Sequence, residues 1–142
     1  MIEFDDFQSK FRVNELLVHK SQYWSWSIRP AQPTLGCGVL SLNRYAAQFS
    51  EVSTEEHADL QTIVQCIEHG LQRTFRYDKI NYLMLMMVDP HVHFHIIPRY
   101  AETRIFAEQS FHDSGWPGVP NLKAETSPND LLHTLCNTLR KA

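Results

Sequence analysis

Asp89-Pro90-His91-Val92-His93-Phe94-His95-Ile96-Ile97-Pro98 sets a histidine at every second position of an otherwise apolar run. Successive side chains of a β-strand point to opposite faces of its sheet. Read as a strand over 91–98, the segment turns His91, His93 and His95 to one face. Val92, Phe94 and Ile96 share the other, which can be buried in a core. Imidazoles are poor packing material, because each ring has two polar nitrogens that need partners and can gain charge near neutral pH. The segment reads as chemistry mounted on a rigid support.

The sequence on either side says how that support is built. Lys79 to Val88 is apolar and reads as a long strand, with Asp89-Pro90 as the turn into the histidine strand. The two strands are then antiparallel neighbours, and the histidines lie inside the sheet. Upstream, Ser53-Thr54-Glu55-Glu56 fits a capping box. Leu60, Ile63, Val64, Ile67, Leu71 and Phe75 follow at helical spacing, so a long helix should run to about 75–77. Glu15–Lys20 and Tyr23–Arg29 read as a hairpin joined at Ser21-Gln22. Trp24 and Trp26 share one face of its second strand. A Pro/Gly loop over 30–38 leads to a short strand, Val39–Leu42. Phe4, Phe7 and Phe11 suggest a short helix or turn at the N-terminus. After an irregular stretch over 101–126, Ser127 as N-cap and Pro128 at the first helical position begin a last helix. Leu131, Leu132, Leu135 and Leu139 form its apolar side. This is an α+β pattern: an antiparallel sheet of about five strands, one long crossover helix and a C-terminal helix. It suits a single domain over 1–142, with the motif-bearing core at about 15–100 and a loop and helix over 101–142.

Composition narrows the function. A hydrophobic share of 43% and a charged share of 20% are those of an ordinary globular chain. A net charge of -3 argues against a broad nucleic-acid footprint. No apolar run approaches the roughly 20 residues that span a bilayer, and the acidic start, Met1 to Asp6, is unlike a signal peptide. Cys37, Cys66 and Cys136 are an odd, scattered set without CxxC, which favours reduced thiols and a cytoplasmic setting.

Three readings of the histidine row compete. It can be a strand that merely contains histidines, but six ring nitrogens would then need partners. It can be a metal site, since His-x-His on a strand can chelate. However, the first and third positions lie about 13 Å apart along the strand, too far for both to bind one ion at about 2 Å. No ligand pattern forms with Asp89 or Glu102, so no metal ligands are assigned. The third reading is nucleophilic attack on phosphorus. A neutral imidazole nitrogen can form a phosphoramidate if its other nitrogen is held by an acceptor. Neighbouring imidazoles can steady the phosphate oxygens and protonate the leaving atom. The central histidine has such a helper on each side.

His91-Val92-His93-Phe94-His95-Ile96-Ile97 resembles the His-φ-His-φ-His-φ-φ pattern (φ apolar) of the histidine triad, or HIT, family, with Pro98 and Arg99 resembling its continuation. The resemblance extends over about residues 15–100. It implies a sheet-based α+β fold, a homodimer and a small-molecule nucleotide substrate attacked at its α-phosphate, by a hydrolase or nucleotidyl transferase. Phosphoramidates and dinucleoside polyphosphates are the substrate classes implied. By position, His93 would be the nucleophile, held by a backbone carbonyl such as that of His91. His95 would contact the phosphate and assist the leaving group, and His91 would support the network. Arg29 falls where family members hold the ribose. No cofactor is required, and magnesium would enter only with a polyphosphate substrate.

The chain also departs from the family pattern. The glycine-rich loop with Gln or Ser that often precedes the first histidine is replaced by Met84-Leu85-Met86-Met87-Val88-Asp89-Pro90, which reads as contracted to a tight turn. A frequent Gly-His pair becomes Gly36-Cys37. Asn81 and Arg99 could replace the missing polar contacts. Trp26, with Tyr23 and Trp24, is a candidate for stacking on a base, against the plainer reading of core or interface. Trp116 is either a flap over the site or an anchor for its loop. Two other classes stay open: a nucleotide-binding protein with little turnover, and a metal-dependent hydrolase using the same histidines.

Overall fold

In the computed structural model, which describes residues 1–142, the chain runs α1 (Ile2–Lys10), β1 (Leu17–Lys20), β2 (Trp24–Ile28), β3 (Gly38–Leu42), a 3-10 turn (Phe49–Glu51), α2 (Thr54–Phe75), β4 (Lys79–Leu83), β5 (His93–Arg99), β6 (Arg104–Phe106), β7 (Gln109–Phe111) and α3 (Asn129–Arg140). Five strands form one antiparallel sheet in the order β1-β2-β3-β5-β4, so the histidine strand is flanked on both sides. This is the α+β architecture expected from the sequence, with α2 as the long crossover and α3 as the last helix.

Register assigns the two faces. Trp26 lies opposite Leu40, and Leu40 opposite Phe94. These side chains look toward α2 and α3, where Trp24, Trp26, Ile28, Leu40, Leu42 and Ile96 join the helices' apolar stripes in the main core. The alternate residues Ser25, Ser41 and His93 form a row on the other face, with Ser27, Val39 and His95 as the next. Helix α1 lies against this second face, where Phe7, Phe11, Val13 and Val39 make a smaller apolar cluster.

Local chemistry explains where α2 starts and stops. The Ser53 hydroxyl accepts from the Glu56 N–H at 3.1 Å, and the Ser53 N–H donates to the Glu56 carboxylate at 2.8 Å. Both ends of the capping box are therefore made. The Arg44 guanidinium grips the same carboxylate at 2.7 and 2.8 Å, holding its pKa down to about 2. Arg76 then closes the helix in a left-handed conformation.

Several expectations need correction. The strand expected over Lys79–Val88 ends at Leu83, and residues 84–92 form an irregular loop rather than a tight Asp89-Pro90 turn. An unbroken apolar run has no period to mark its end. Met86, with φ 51°, breaks the extended path, and Leu85, Met87 and Val88 point outward. β5 consequently starts at His93, leaving His91 in the loop. Pro128, not Ser127, is the N-cap of α3, because the Ser127 N–H donates to the Pro30 carbonyl. The stretch 101–126 contains the β6–β7 hairpin, which turns through positive φ at Ala107 and Glu108, residues that carry no turn signal.

Candidate active site

His91 is fixed first. The Ala46 N–H donates to its Nδ1 at 3.3 Å, and its Nε2 lies 2.9 Å from the Leu42 carbonyl. A donor on one side and an acceptor on the other admit a single neutral tautomer, with the proton on Nε2. Tyr45 stacks on the ring at 5.6 Å. With both nitrogens engaged, His91 has no free lone pair for a ligand.

His93 follows from this. Its Nδ1 lies 2.6 Å from the His91 carbonyl, an acceptor only, so Nδ1 carries the proton and donates. The Nε2 lone pair is left free. The His95 ring stands nearly perpendicular to His93, at 80° with centroids 5.0 Å apart. Its Nδ1 is buried without a protein partner, as is the hydroxyl of Ser41, the β3 residue paired with His93. Orphaned buried polar atoms are uncommon and costly; the Trp26 indole nitrogen, in the main core, is another. Ser41 was missed in the sequence. Its place beside the histidines depends on the β3–β5 register, a pairing between distant segments.

Burial pushes the pKa of all three imidazoles below the ordinary histidine value, His95 to about 4. Backbone hydrogen bonds at His91 and His93 oppose this shift only in part, and the nearby His93 and Arg29 lower His95 further. The rings are therefore neutral at pH 7, as a nitrogen nucleophile requires. Stability follows the same sign. A depressed folded pKa stabilises the native state above the unfolded value near 6.5, and this is lost as pH falls toward the folded value. Urea midpoints should fall between pH 6.5 and about 4, and fall less in His95→Asn. An equal decline in both proteins would count against this assignment.

Helix α1 covers the row. Phe7 lies 4.9 Å from both His91 and His93, and Phe11 lies 5.8 Å from His93 and 5.9 Å from His95. Lys10 ties the helix to the 84–92 loop through Asp89 at 2.8 Å. His93 is only 2% exposed. The cavity at His93 and His95, walled by Leu85 to Asp89, holds about 130 Å³, less than the roughly 300–1,000 Å³ of ordinary ligand pockets.

The other candidate residues are distributed unevenly. Trp26 is a core residue on the opposite face, its ring against Gly70 of α2, and it does not stack on a ligand in this site. A Cβ at position 70 would come within 3.3 Å of that ring, so glycine there admits the indole. Arg29 follows β2 and reaches the Leu122 carbonyl at 3.5 Å, with its charge still felt at His95. Arg99 is 4% exposed and is held by Asp113 at 2.7 and 3.1 Å and by Asn81 at 2.9 Å. Three of its five N–H donors are thus committed to structure. Asn81 and Arg99 line a separate cleft of about 750 Å³ between β4 and Trp116–Pro120, so Trp116 is not a flap over the histidines. Arg44 is spent on Glu56, and Cys37 is buried beside Thr34. No group of three or more His, Cys, Asp or Glu side chains is arranged to hold a metal ion.

Comparison with known proteins bears on the family and the fold. The HIT domain model matches residues 26–102. No curated protein matches the chain. Among solved structures, a histidine triad protein from Sinorhizobium meliloti superposes with TM-score 0.71 at 19% identity, covering 92% of each chain. A Hit-like protein involved in cell-cycle regulation from Bartonella henselae gives 0.69 at 19% identity, over 96% of this chain and 93% of that one. A hypothetical histidine triad nucleotide-binding protein from Sulfolobus tokodaii gives 0.68 at 16% identity, over 89% and 81%. The matched segment contains all three histidines and accounts for more than half of the 142 residues, so the chain belongs to the histidine triad (HIT) family.

Proposed function

We propose that this protein is a nucleotide hydrolase or nucleotidyl transferase acting through a covalent nucleotidyl-His93 intermediate. The observation that carries this reading is the His93 ring itself: Nδ1–H held by the His91 carbonyl, Nε2 free and the imidazole kept neutral. Nε2 attacks the α-phosphorus of a nucleoside phosphoramidate or dinucleoside polyphosphate. An N–P bond forms, the bond from phosphorus to the leaving atom breaks, and the leaving atom keeps the electron pair. The imidazolium so created is steadied through Nδ1–H by the same carbonyl. The phosphate's negative charge raises the pKa of His95, so His95 arrives protonated and gives that proton to the leaving atom. Water or another acceptor then takes the nucleotidyl group. The His91 carbonyl positions the His93 ring.

The covalent step uses no cofactor, and magnesium is needed only to accompany a polyphosphate. We also propose a homodimer in a cytoplasmic setting. The outer edge of β4 has no partner strand in the sheet, and free edges favour pairing. No helix is long and apolar enough to cross a membrane. A second reading, nucleotide binding with little turnover, is favoured by one feature: the 84–92 loop offers no Gly, Ser or Gln side chain to the phosphate. AMP release from adenosine 5′-phosphoramidate separates the two. The enzyme reading expects steady release that a chelator does not abolish. Calorimetric binding of AMP without release would select the binding protein, and loss of release with chelator would select a metal-dependent hydrolase.

A further inference from the structure

Four polar atoms without a partner gather between α1 and the histidine face of the sheet: Gln8 Oε1, Ser27 Oγ, Ser41 Oγ and His95 Nδ1. Ser27 is 0% exposed and Ser41 1%. Ser41 lies opposite His93, while Val39 stands between Ser27 and His95. Ser41 is therefore the diagonal neighbour of both Ser27 and His95. Diagonal pairs stand about 7–8 Å apart at Cα, a gap that polar side chains close by rotation or through one bridging water. Helix α1 brings the fourth atom. Phe7 and Phe11 meet the imidazoles, and Glu3, Asp6 and Lys10 lie on the flank beside the 84–92 loop. At 3.6 residues per turn, Gln8 falls on the other flank, toward β3 and β2. Ser25, on the same face, shows the ordinary condition of such a hydroxyl: it donates to the Asn43 side chain at 2.6 Å.

The four atoms are complementary in kind. Gln8 Oε1 only accepts, the two hydroxyls both donate and accept, and a protonated Nδ1 only donates. We infer that Gln8 and Ser41 are positioning residues for His95: its Nδ1–H donates to the Ser41 hydroxyl, which donates to the Gln8 side-chain carbonyl, and the ring is held with Nε2 toward the substrate. This rests on the nucleotidyl-His93 reading, in which His95 is the acid. In that step the Nε2 proton passes to the departing amine nitrogen, which keeps the electron pair of the broken P–N bond. The Nδ1 proton stays on the ring. Without an acceptor there, the charged ring would bury an unpaired N–H. The chain of hydroxyl and amide thus works against burial, the main cause of the lowered His95 pKa, and against the neighbouring His93, Arg29 and Lys10. Asp89 acts in the same direction as the chain. Val39 and Leu83, opposite His95 on β3 and β4, carry no charge.

The test pairs adenosine 5′-phosphoramidate with the p-nitrophenyl ester of AMP. The amine needs a proton to leave, whereas p-nitrophenolate leaves as the anion at neutral pH. Ser41→Ala and Gln8→Leu should slow AMP release from the phosphoramidate by about tenfold or more, and change release from the ester by less than about twofold. The alkaline limb of the phosphoramidate kcat profile should move about one pH unit lower in both variants, because the charged ring has lost its acceptor. Ser25→Ala, which removes a hydroxyl already paired with Asn43, should match wild type on both substrates. Nitrogen NMR of the imidazoles gives a readout that needs no turnover. It should find the His95 proton on Nδ1 in the wild type and shared between the two nitrogens in Ser41→Ala and Gln8→Leu. Equal losses on the two substrates, an unmoved alkaline limb, or an unchanged His95 tautomer in both variants would each overturn the inference and leave the nucleotidyl-histidine reading standing. Absence of AMP release from both substrates with the wild type would reject the parent reading and this inference together.

Discussion

His93→Ala should lower nucleotide turnover by at least about a thousandfold, because nothing else in the site can replace the nucleophile. His91 has both nitrogens engaged, so it cannot take over the attack. His95 keeps Nδ1 buried, and no backbone carbonyl holds either of its nitrogens. The substitution also removes a ring packed between Phe7 and Phe11. A modest stability loss of about 1–3 kcal/mol is expected from that cavity, so activity should be read where circular dichroism shows the variant folded. His95→Asn should cost less, about a hundredfold, as befits a proton donor rather than the attacking group. Equal losses at the two positions would contradict the division of roles.

Arg99→Ala should destabilise the fold strongly, by about 3–5 kcal/mol in urea denaturation. The pair Arg99–Asp113 is almost wholly buried, with side chains 5% and 1% exposed. Burial by itself would raise the Asp113 pKa. Hydrogen bonds from the Arg99 guanidinium and the Tyr100 N–H outweigh that and hold it below the ordinary aspartate value. Removing the guanidinium leaves a buried carboxylate with too few partners. The sign of the pH effect follows: the pair stabilises the fold above the ordinary aspartate pKa, and that contribution is lost as pH falls through the lowered native one. Arg99→Ala should therefore lose least against wild type at strongly acidic pH. A destabilisation below about 1 kcal/mol at pH 7 would show that the pair acts as an exposed one would.

Most of the fold was legible because its strongest signals are local. Alternation from His93 to Ile96 and the capping box at Ser53–Glu56 each specify a conformation within a few residues. The rest depended on neighbours distant in sequence. Trp26 and Ser27 adjoin on one strand, and only the side taken by α2 shows that the indole is core and the hydroxyl faces the histidine side. Arg99 looks like a free phosphate ligand until Asp113, beyond an irregular stretch, closes on it. Phe7 and Phe11 show helical spacing, yet nothing near them says that their helix lies on the histidines. The 84–92 loop was hidden for a different reason: an apolar run reads as strand whether or not a partner exists beyond Leu83. At the site, the histidine row could be identified from the sequence, but the small size of the cavity beside it, walled by the 84–92 loop, could not.

The central claim is the bond between His93 and a nucleotidyl group. It is tested most directly by intact-protein mass spectrometry after a brief acid-free quench with adenosine 5′-phosphoramidate, followed by peptide mapping. The account predicts a transient gain of one adenylyl group, located on His93 and absent from His93→Ala. AMP release with no adduct at any time point, or an adduct that persists in His93→Ala, would contradict it.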